Sequence, residues 1–408
     1  MNSYKYINII KKTIIVLFVL LLVVCFSLGK SYSNFVYKTD DYRAVEMIVG
    51  KLNYNIKIND EMKDSIVVNP GNSVLNIEIE SNNEIDSYYK LLLKKTDDVD
   101  VYYMDNEPYG RINKNEKKNY KLLVINKSEQ DKNISFVISS GYVNNTIDDV
   151  LIVDGYSLID NKLLIGSSVL YETSGSYQFN DTVMNPINDD WKLLKVYDDG
   201  SFKIVSNNYL NENICFNGSE GYNNIVNELN KIVTSLYSDD NVITINNISL
   251  EDIEEFTNYK INSLTNLKRV NNNIYIPSLL RYEKNVFIDE VNTNGILKSN
   301  EEYDGVLNNS FEIVDSLITG EYTVSELSVD SFINEKYYEL LFKDKNNYLL
   351  NRYVDNDGET VNYGILNMNN NSISKLKLYD SKNISYEICS SIRPVIKLSN
   401  KYILNIKK

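Results

Sequence analysis

A two-residue hydrophobic period limits what this chain can fold into more than any other feature. In KLNYNIKI, Leu52, Tyr54, Ile56 and Ile58 alternate with Asn53, Asn55 and Lys57. In VLNIEIES, Leu75, Ile77 and Ile79 alternate with Asn76, Glu78 and Glu80. A strand points successive side chains to opposite faces, so each run builds a sheet with one dry and one wet side. Asn69-Pro70-Gly71-Asn72 between them is turn chemistry: Pro presets φ and Gly accepts φ > 0. Further strands are predicted over Tyr88–Lys94, Val99–Met104, Tyr120–Asn126 and Ile134–Ser140. Short strands at this spacing make residues 45–148 an immunoglobulin-like β-sandwich. The heavy use of Tyr, 33 residues, suits half-buried strands.

Residues 149–164 read as a connector, and residues 165–408 as an α+β domain with helices set apart from a mainly antiparallel sheet. Trp191–Tyr197, Asp198-Asp199-Gly200 and Ser201–Ser206 form a predicted hairpin, with Asp-Gly supplying the turn. The period then changes. Tyr222, Ile225, Leu229, Ile232, Val233 and Leu236 recur every three or four residues, the stripe of an amphipathic helix over Gly221–Tyr237. Ser249, with Asp252 three residues later, predicts the start of a second, short helix. Strands are expected over Asn273–Pro277, Tyr337–Phe342, Tyr348–Tyr353, Val361–Asn367 and Arg393–Leu398. Residues 283–335 are acidic and turn-rich, as an insertion would be.

The N-terminus sets the expected compartment. Ile14–Phe26 is an unbroken apolar run preceded by Lys11 and Lys12 and followed by Lys30, with 17 uncharged residues between Lys12 and Lys30. As a helix these reach about 25 Å, against a hydrocarbon core of about 30 Å. A cleaved signal peptide over residues 1–33 fits the basic start and the short core. An uncleaved anchor contacting the membrane through residues 13–29 fits equally, if the flanking lysines snorkel. Either reading exports the remainder, as a cell-membrane protein with an extracellular ectodomain or as a secreted, surface-associated one. The 38 basic and 56 acidic residues beyond position 33 give a net charge of −18, which repels phosphate backbones and argues against nucleic acid as a partner.

The chain has no histidine, which removes Ser–His–Asp and Cys–His nucleophile systems and all His-ligated metal sites. Its three cysteines form no CxxC motif; Cys25 lies in the leader, and Cys215 and Cys389 stand either as a disulfide pair or as two buried thiols. The nearest approach to a calcium loop is Asp355-Asn356-Asp357-Gly358-Glu359, in which Asp355 and Asp357 would be the ligands. Predicted strands on both sides favour a hairpin turn there instead. The acid pairs Glu254–Glu255 and Glu301–Glu302 lack the facing, separated carboxyls that glycoside hydrolysis needs. Arg393 is expected to pair with a local acid, Pro394 to mark an edge strand, and Trp191 to sit in the core. No catalytic set or cofactor is predicted.

The stretch Ser27-Leu28-Gly29-Lys30-Ser31-Tyr32-Ser33-Asn34-Phe35 resembles the export signals of Gram-positive biofilm-fibre and camelysin-like proteins. KLNYNIKIN, NPGNSVLNIEIES, NEIDSYYKLLL and SFVISSGYVNN look like a sandwich of clostridial surface proteins. DDWKLLKVYDDGSFKIVS, GYNNIVNELN, SLEDIEEF and SSIRPVIKLS are similar to a bacterial surface domain that ends in an Arg-Pro-Val-containing strand, with a C-type-lectin-like look. The resemblance implies a non-enzymatic surface protein, structural or adhesive, facing an envelope or host-surface ligand. A glycan- or peptide-binding module is the alternative, and a carboxylate-based wall hydrolase stands behind both.

Overall fold

Strand pairing begins where the alternation begins. The computed structural model describes residues 52–142, 155–258 except 189 and 211–213, 276–277, 311–312, 327–356, and 361–407 except 381 and 383. The leader, residues 1–33, lies outside the described residues, as does most of the acidic segment 283–335. Among the described residues no helix is long and apolar enough to cross a membrane. The chain is mainly β, built from several antiparallel sheets.

The first module comprises β1 (Tyr54–Ile58), β2 (Glu61–Met62), β3 (Ser65–Val68), β4 (Gly71–Ser81), β5 (Ser87–Lys94), β6 (Val99–Tyr103), β7 (Tyr109–Ile112), β8 (Lys117–Asn126) and β9 (Lys132–Gly141). One sheet runs β2-β1-β4-β8-β6. The second runs β5-β9-β3, with β7 on the other side of β5. Ile77 and Ile79 of the first sheet share a core with Tyr89, Leu91 and Phe136 of the second, so the two sheets form a sandwich. The described part of the segment read as a connector, residues 155–164, joins this sandwich. Ser157–Leu158 (β10) pairs with β5, Ile159 is buried in the core, and Leu163 N–H donates to the Tyr103 carbonyl at 2.9 Å.

The second module holds β11 (Ser168–Val169), β12 (Tyr177–Phe179), β13 (Thr182–Met184), β14 (Trp191–Val196), β15 (Phe202–Ser206), β16 (Ile214–Asn217), α1 (Gly218–Tyr237), β17 (Val242–Asn247) and α2 (Leu250–Glu254). After the short pair β18 (Ile276–Pro277) and β19 (Phe311–Glu312) come α3 (Glu335–Tyr337), β20 (Asn346–Asn356), β21 (Val361–Asn369), β22 (Ser372–Asp380), β23 (Glu387–Ser390) and β24 (Pro394–Leu398). Its main sheet is β11-β14-β15-β24-β17, joined by a β20-β21-β22 meander and a β16–β23 ribbon. Helix α1 buries the predicted stripe, Ile225, Leu229, Ile232, Val233 and Leu236, at no measurable exposure. Trp191 is fully buried, edge-on to Tyr171 and Tyr237, and its indole N–H donates to the Ile187 carbonyl at 3.0 Å. Burial of a ring with its polar handle satisfied makes it a core anchor.

Three sequence expectations fail here. Tyr337–Phe342 is helical: α3 continues through a wide π-turn over Tyr338–Phe342. Asn334 caps its start, and Tyr337, Leu340 and Leu341 bury at helical spacing, which outweighs the strand preference of the two tyrosines. Pro394 does not mark an edge. It opens β24, which lies between β15 and β17, and a proline at a strand's first residue removes no bond from the ladder interior. Among the described residues Arg393 pairs with no acid; its surroundings are described below.

The modules are fused. The Asn72 side chain, 2% exposed, donates to the Tyr402 carbonyl at 2.7 Å and accepts from Leu404 N–H at 3.1 Å, while its backbone N–H donates to the Asn400 carbonyl at 2.8 Å. Gly200, at φ +80°, lies so close that an added Cβ would sit 2.3 Å from the Asn72 carbonyl oxygen. Leu122 and Val124 face the sandwich core, while Leu123 and Ile125 enter the core of the second module. The Leu122–Asn126 half of β8 is therefore buried on both faces.

Candidate functional site

The predicted hairpin β14–β15 and its neighbour β24 place three lysines in a row. Lys195 stands opposite Lys203, and Lys203 opposite Lys397 of β24. Like charges directly opposed across strands destabilise a sheet, so the row requires compensation. It comes from α2, whose start the sequence predicts. Ser249 and Asp252 form the reciprocal capping box and hold the helix over the lysines. Lys203 Nζ lies 3.0 Å from Asp252 Oδ1 and 2.6 Å from Glu255 Oε2. Lys195 Nζ and the Tyr197 hydroxyl donate to Glu255 Oε1 at 3.0 and 2.9 Å. Lys397 stands over the Tyr197 ring, 4.1 Å from its centroid.

The electrostatics follow from this packing. Burial opposes the charge on Lys203, but Asp252 and Glu255 more than offset it and hold the ammonium pKa above the usual lysine range. Burial also opposes ionisation of Glu255; bonds from Lys203, Lys195 and Tyr197 win, and its pKa falls below the ordinary value. Burial, helped by the charge of Glu255, pushes the Tyr197 phenol up. Asp252 Oδ2 accepts from Ser249 N–H and Oγ at 2.9 Å each and from Asn246 Nδ2 at 3.0 Å. This cluster escaped sequence reasoning. The signal was present in the matched Lys195 and Lys203 of the hairpin and in the capping-box aspartate.

Cys215 and Cys389 face each other on β16 and β23, with Cα atoms 4.1 Å apart and the sulfurs bonded at 2.06 Å. Asp355 lies on β20, its backbone opposite Asn362, and Asp357 lies outside the described residues. Among the described residues no group of three or more His, Cys, Asp or Glu is placed to hold a metal ion. Glu255 of the Glu254–Glu255 pair is bound into the lysine row, and Glu301–Glu302 lies outside the described residues. Asp198-Asp199-Gly200 is the turn of the β14–β15 hairpin, with the Asp199 carboxylate accepting from Ser201 N–H and Oγ.

Arg393 is completely buried. Its guanidinium donates to the carbonyls of Ser206 at 2.9 Å, Leu341 at 3.3 Å and Leu340. Burial brings its pKa down to about 10. The planar fork caps the last carbonyls of the α3 turn, where a cation also meets the negative end of the helical dipoles. Its role is architectural. An open groove of about 630 Å³ lies beside α3, lined by Leu327, Val329, Tyr338, Asn370, Asn371 and Ser372 among others. Compared with protein-family models, curated proteins and solved structures, the chain gives no match.

Proposed function

We propose that this chain is a non-enzymatic, extracytoplasmic surface protein with a structural or adhesive role. In this reading its leader anchors it or exports it, an immunoglobulin-like sandwich forms the stalk, and the α+β module forms the head. The carrying observation is the fused junction around Asn72, where both modules share buried hydrogen bonds and apolar contacts. Such a joint transmits force and orientation, which suits a rigid stalk and head better than a hinged enzyme. The cross-strand cysteine pair supports an oxidising compartment. The leader, with its lysines on either side of an apolar run, supports export.

Treating intact cells with a membrane-impermeant amine reagent tests the address. Labelling of Lys401, exposed on the head, before lysis is the expected result. Protection of the protein until the membrane is broken would overturn the proposal. A second reading, a glycan- or peptide-binding module, draws on the groove beside α3, which offers the Tyr338 ring together with the amides of Asn370 and Asn371. Retention on a glycan or peptide array that Tyr338→Ala abolishes would favour it over a purely structural role.

A further inference from the structure

We propose that the Cys215–Cys389 bridge is a redox switch that opens and closes in the folded protein, by exchange with an outside dithiol that attacks the Cys389 sulfur. This goes beyond the surface role and does not depend on it. Such exchange needs a sulfur that a thiolate can reach and a fold that holds without the bond. Both are present. Side chains alternate along β16 and β23, so Ile214, Phe216 and Ser390 are buried on the inner face while Cys215 and Cys389 share the outer one. Cys215 is half-buried there, and Cys389 is exposed. A thiolate therefore meets Cys389 first. Exposed bridges are the ones that exchange with thiols, whereas bridges shielded in a core resist it.

Contacts that involve no sulfur hold the same two strands. Their register runs from Ile214 opposite Ser390 to Asn217 opposite Glu387. The buried Tyr348 hydroxyl is shared between the carbonyls of Ile214 at 2.8 Å and Ile388 at 3.1 Å, one on each strand. The Phe216 ring packs against those of Phe179 and Tyr348, and the Ser390 hydroxyl donates to Asn367 Oδ1 at 2.6 Å. With the bond broken, both sulfurs stay close, and the effective concentration that the ribbon imposes re-forms the bridge once the dithiol is gone.

The dithiol is the one co-reactant of the opening step. Its first thiolate attacks Cys389 Sγ, the S–S bond breaks, and the electron pair leaves on Cys215 Sγ. This gives a mixed disulfide on Cys389. The second thiolate of the reagent attacks the reagent's own first sulfur, closes a reagent disulfide and releases Cys389 as a thiolate. The dithiol is oxidised by two electrons, the bridge is reduced by two, and the two protons lost by the dithiol end on the two cysteines. The bridge ties the strand that leads into α1 to the strand that leads towards β24, so its redox state sets how firmly these are joined.

The test uses the purified full chain without denaturant, with Cys25 first blocked by N-ethylmaleimide. Dithiothreitol is the dithiol probe. Timed samples are quenched with iodoacetamide and weighed, while Trp191 fluorescence reports the fold. The bridge should open at a rate proportional to dithiothreitol concentration and not raised by sub-denaturing urea, with the fluorescence unchanged. Removing the reagent in air should restore the bridged mass. A rate that levels off at the unfolding rate, or bridge loss only in step with the fluorescence change, would overturn the switch. Glutathione, a monothiol, then identifies the attacked sulfur. Early samples should carry the glutathione adduct on Cys389 and the alkyl group on Cys215; the reverse pattern would overturn that assignment.

Discussion

Replacing Asn72 with alanine tests whether the two modules are one mechanical unit. The side chain is 2% exposed and serves two backbone groups of the C-terminal segment, the Tyr402 carbonyl and the Leu404 N–H. Truncation leaves the buried Leu404 N–H and the half-buried Tyr402 carbonyl unpaired; a fully buried group costs about 1–3 kcal/mol and a half-buried one less, so the variant should lose roughly 2–4 kcal/mol. Asn72→Asp should be worse still at neutral pH, because it keeps the acceptor for Leu404 but sets a carboxylate against the Tyr402 carbonyl. Asn400→Ala is the control. Its side chain donates only to the Asp199 carbonyl at an exposed position, and it should shift stability by less than about 0.5 kcal/mol. Urea unfolding can be followed by the fluorescence of Trp191, the single tryptophan, which reports on the core of the second module. Far-ultraviolet circular dichroism reports on both modules. Coincident transitions are expected in the parent, and a lower, broadened or split one in Asn72→Ala. A midpoint for Asn72→Ala that matches Asn400→Ala would refute the reasoning.

Three further outcomes are expected. Arg393→Lys replaces a planar fork serving three carbonyls with one flexible ammonium, and should lower unfolding stability by roughly 2–4 kcal/mol, read from the urea midpoint. Burial, with help from the charge of Arg393, brings the Lys345 pKa from 10.5 down to about 8, against the opposing pull of Asp344 and Asp190. From this group alone, between these values the unfolded chain holds more protons than the folded one, so the parent should gain stability relative to Lys345→Met from pH 8 towards pH 9.5; a difference between the two that does not change with pH would exclude it. Joint replacement of Cys215 and Cys389 by serine frees a closure spanning 174 positions, worth up to about 5 kcal/mol in the chain-entropy account, and thermal melting should show the loss.

Where local physics decides, the residues already told the outcome. The alternation of Ile77 and Ile79 with Glu78 and Glu80 made a strand because period two admits no other dry face. The stripe from Tyr222 to Leu236 made a helix, and Asp199-Gly200 made a hairpin turn, for equally local reasons. Ser249 and Asp252 were legible as a helix start but not as partners of Lys203, because the cap is read along the chain whereas the ion pair spans 49 residues. The KLLVIN run of β8 carried a further clue, since four successive apolar residues mark a strand with no wet face. That clue does not say which surface covers the second face.

Sequence by itself therefore excluded histidine chemistry and determined most element types and turns, Tyr337–Phe342 excepted, because these depend on neighbours within a turn or a strand. Tertiary structure alone decided that Arg393 meets carbonyls rather than an acid and that Pro394 opens an interior strand. It also decided that residues 157–163 belong to the sandwich and that three lysines converge beneath α2. Each of these outcomes turns on which distant segment fills a buried space, a choice made by packing and desolvation across the whole chain.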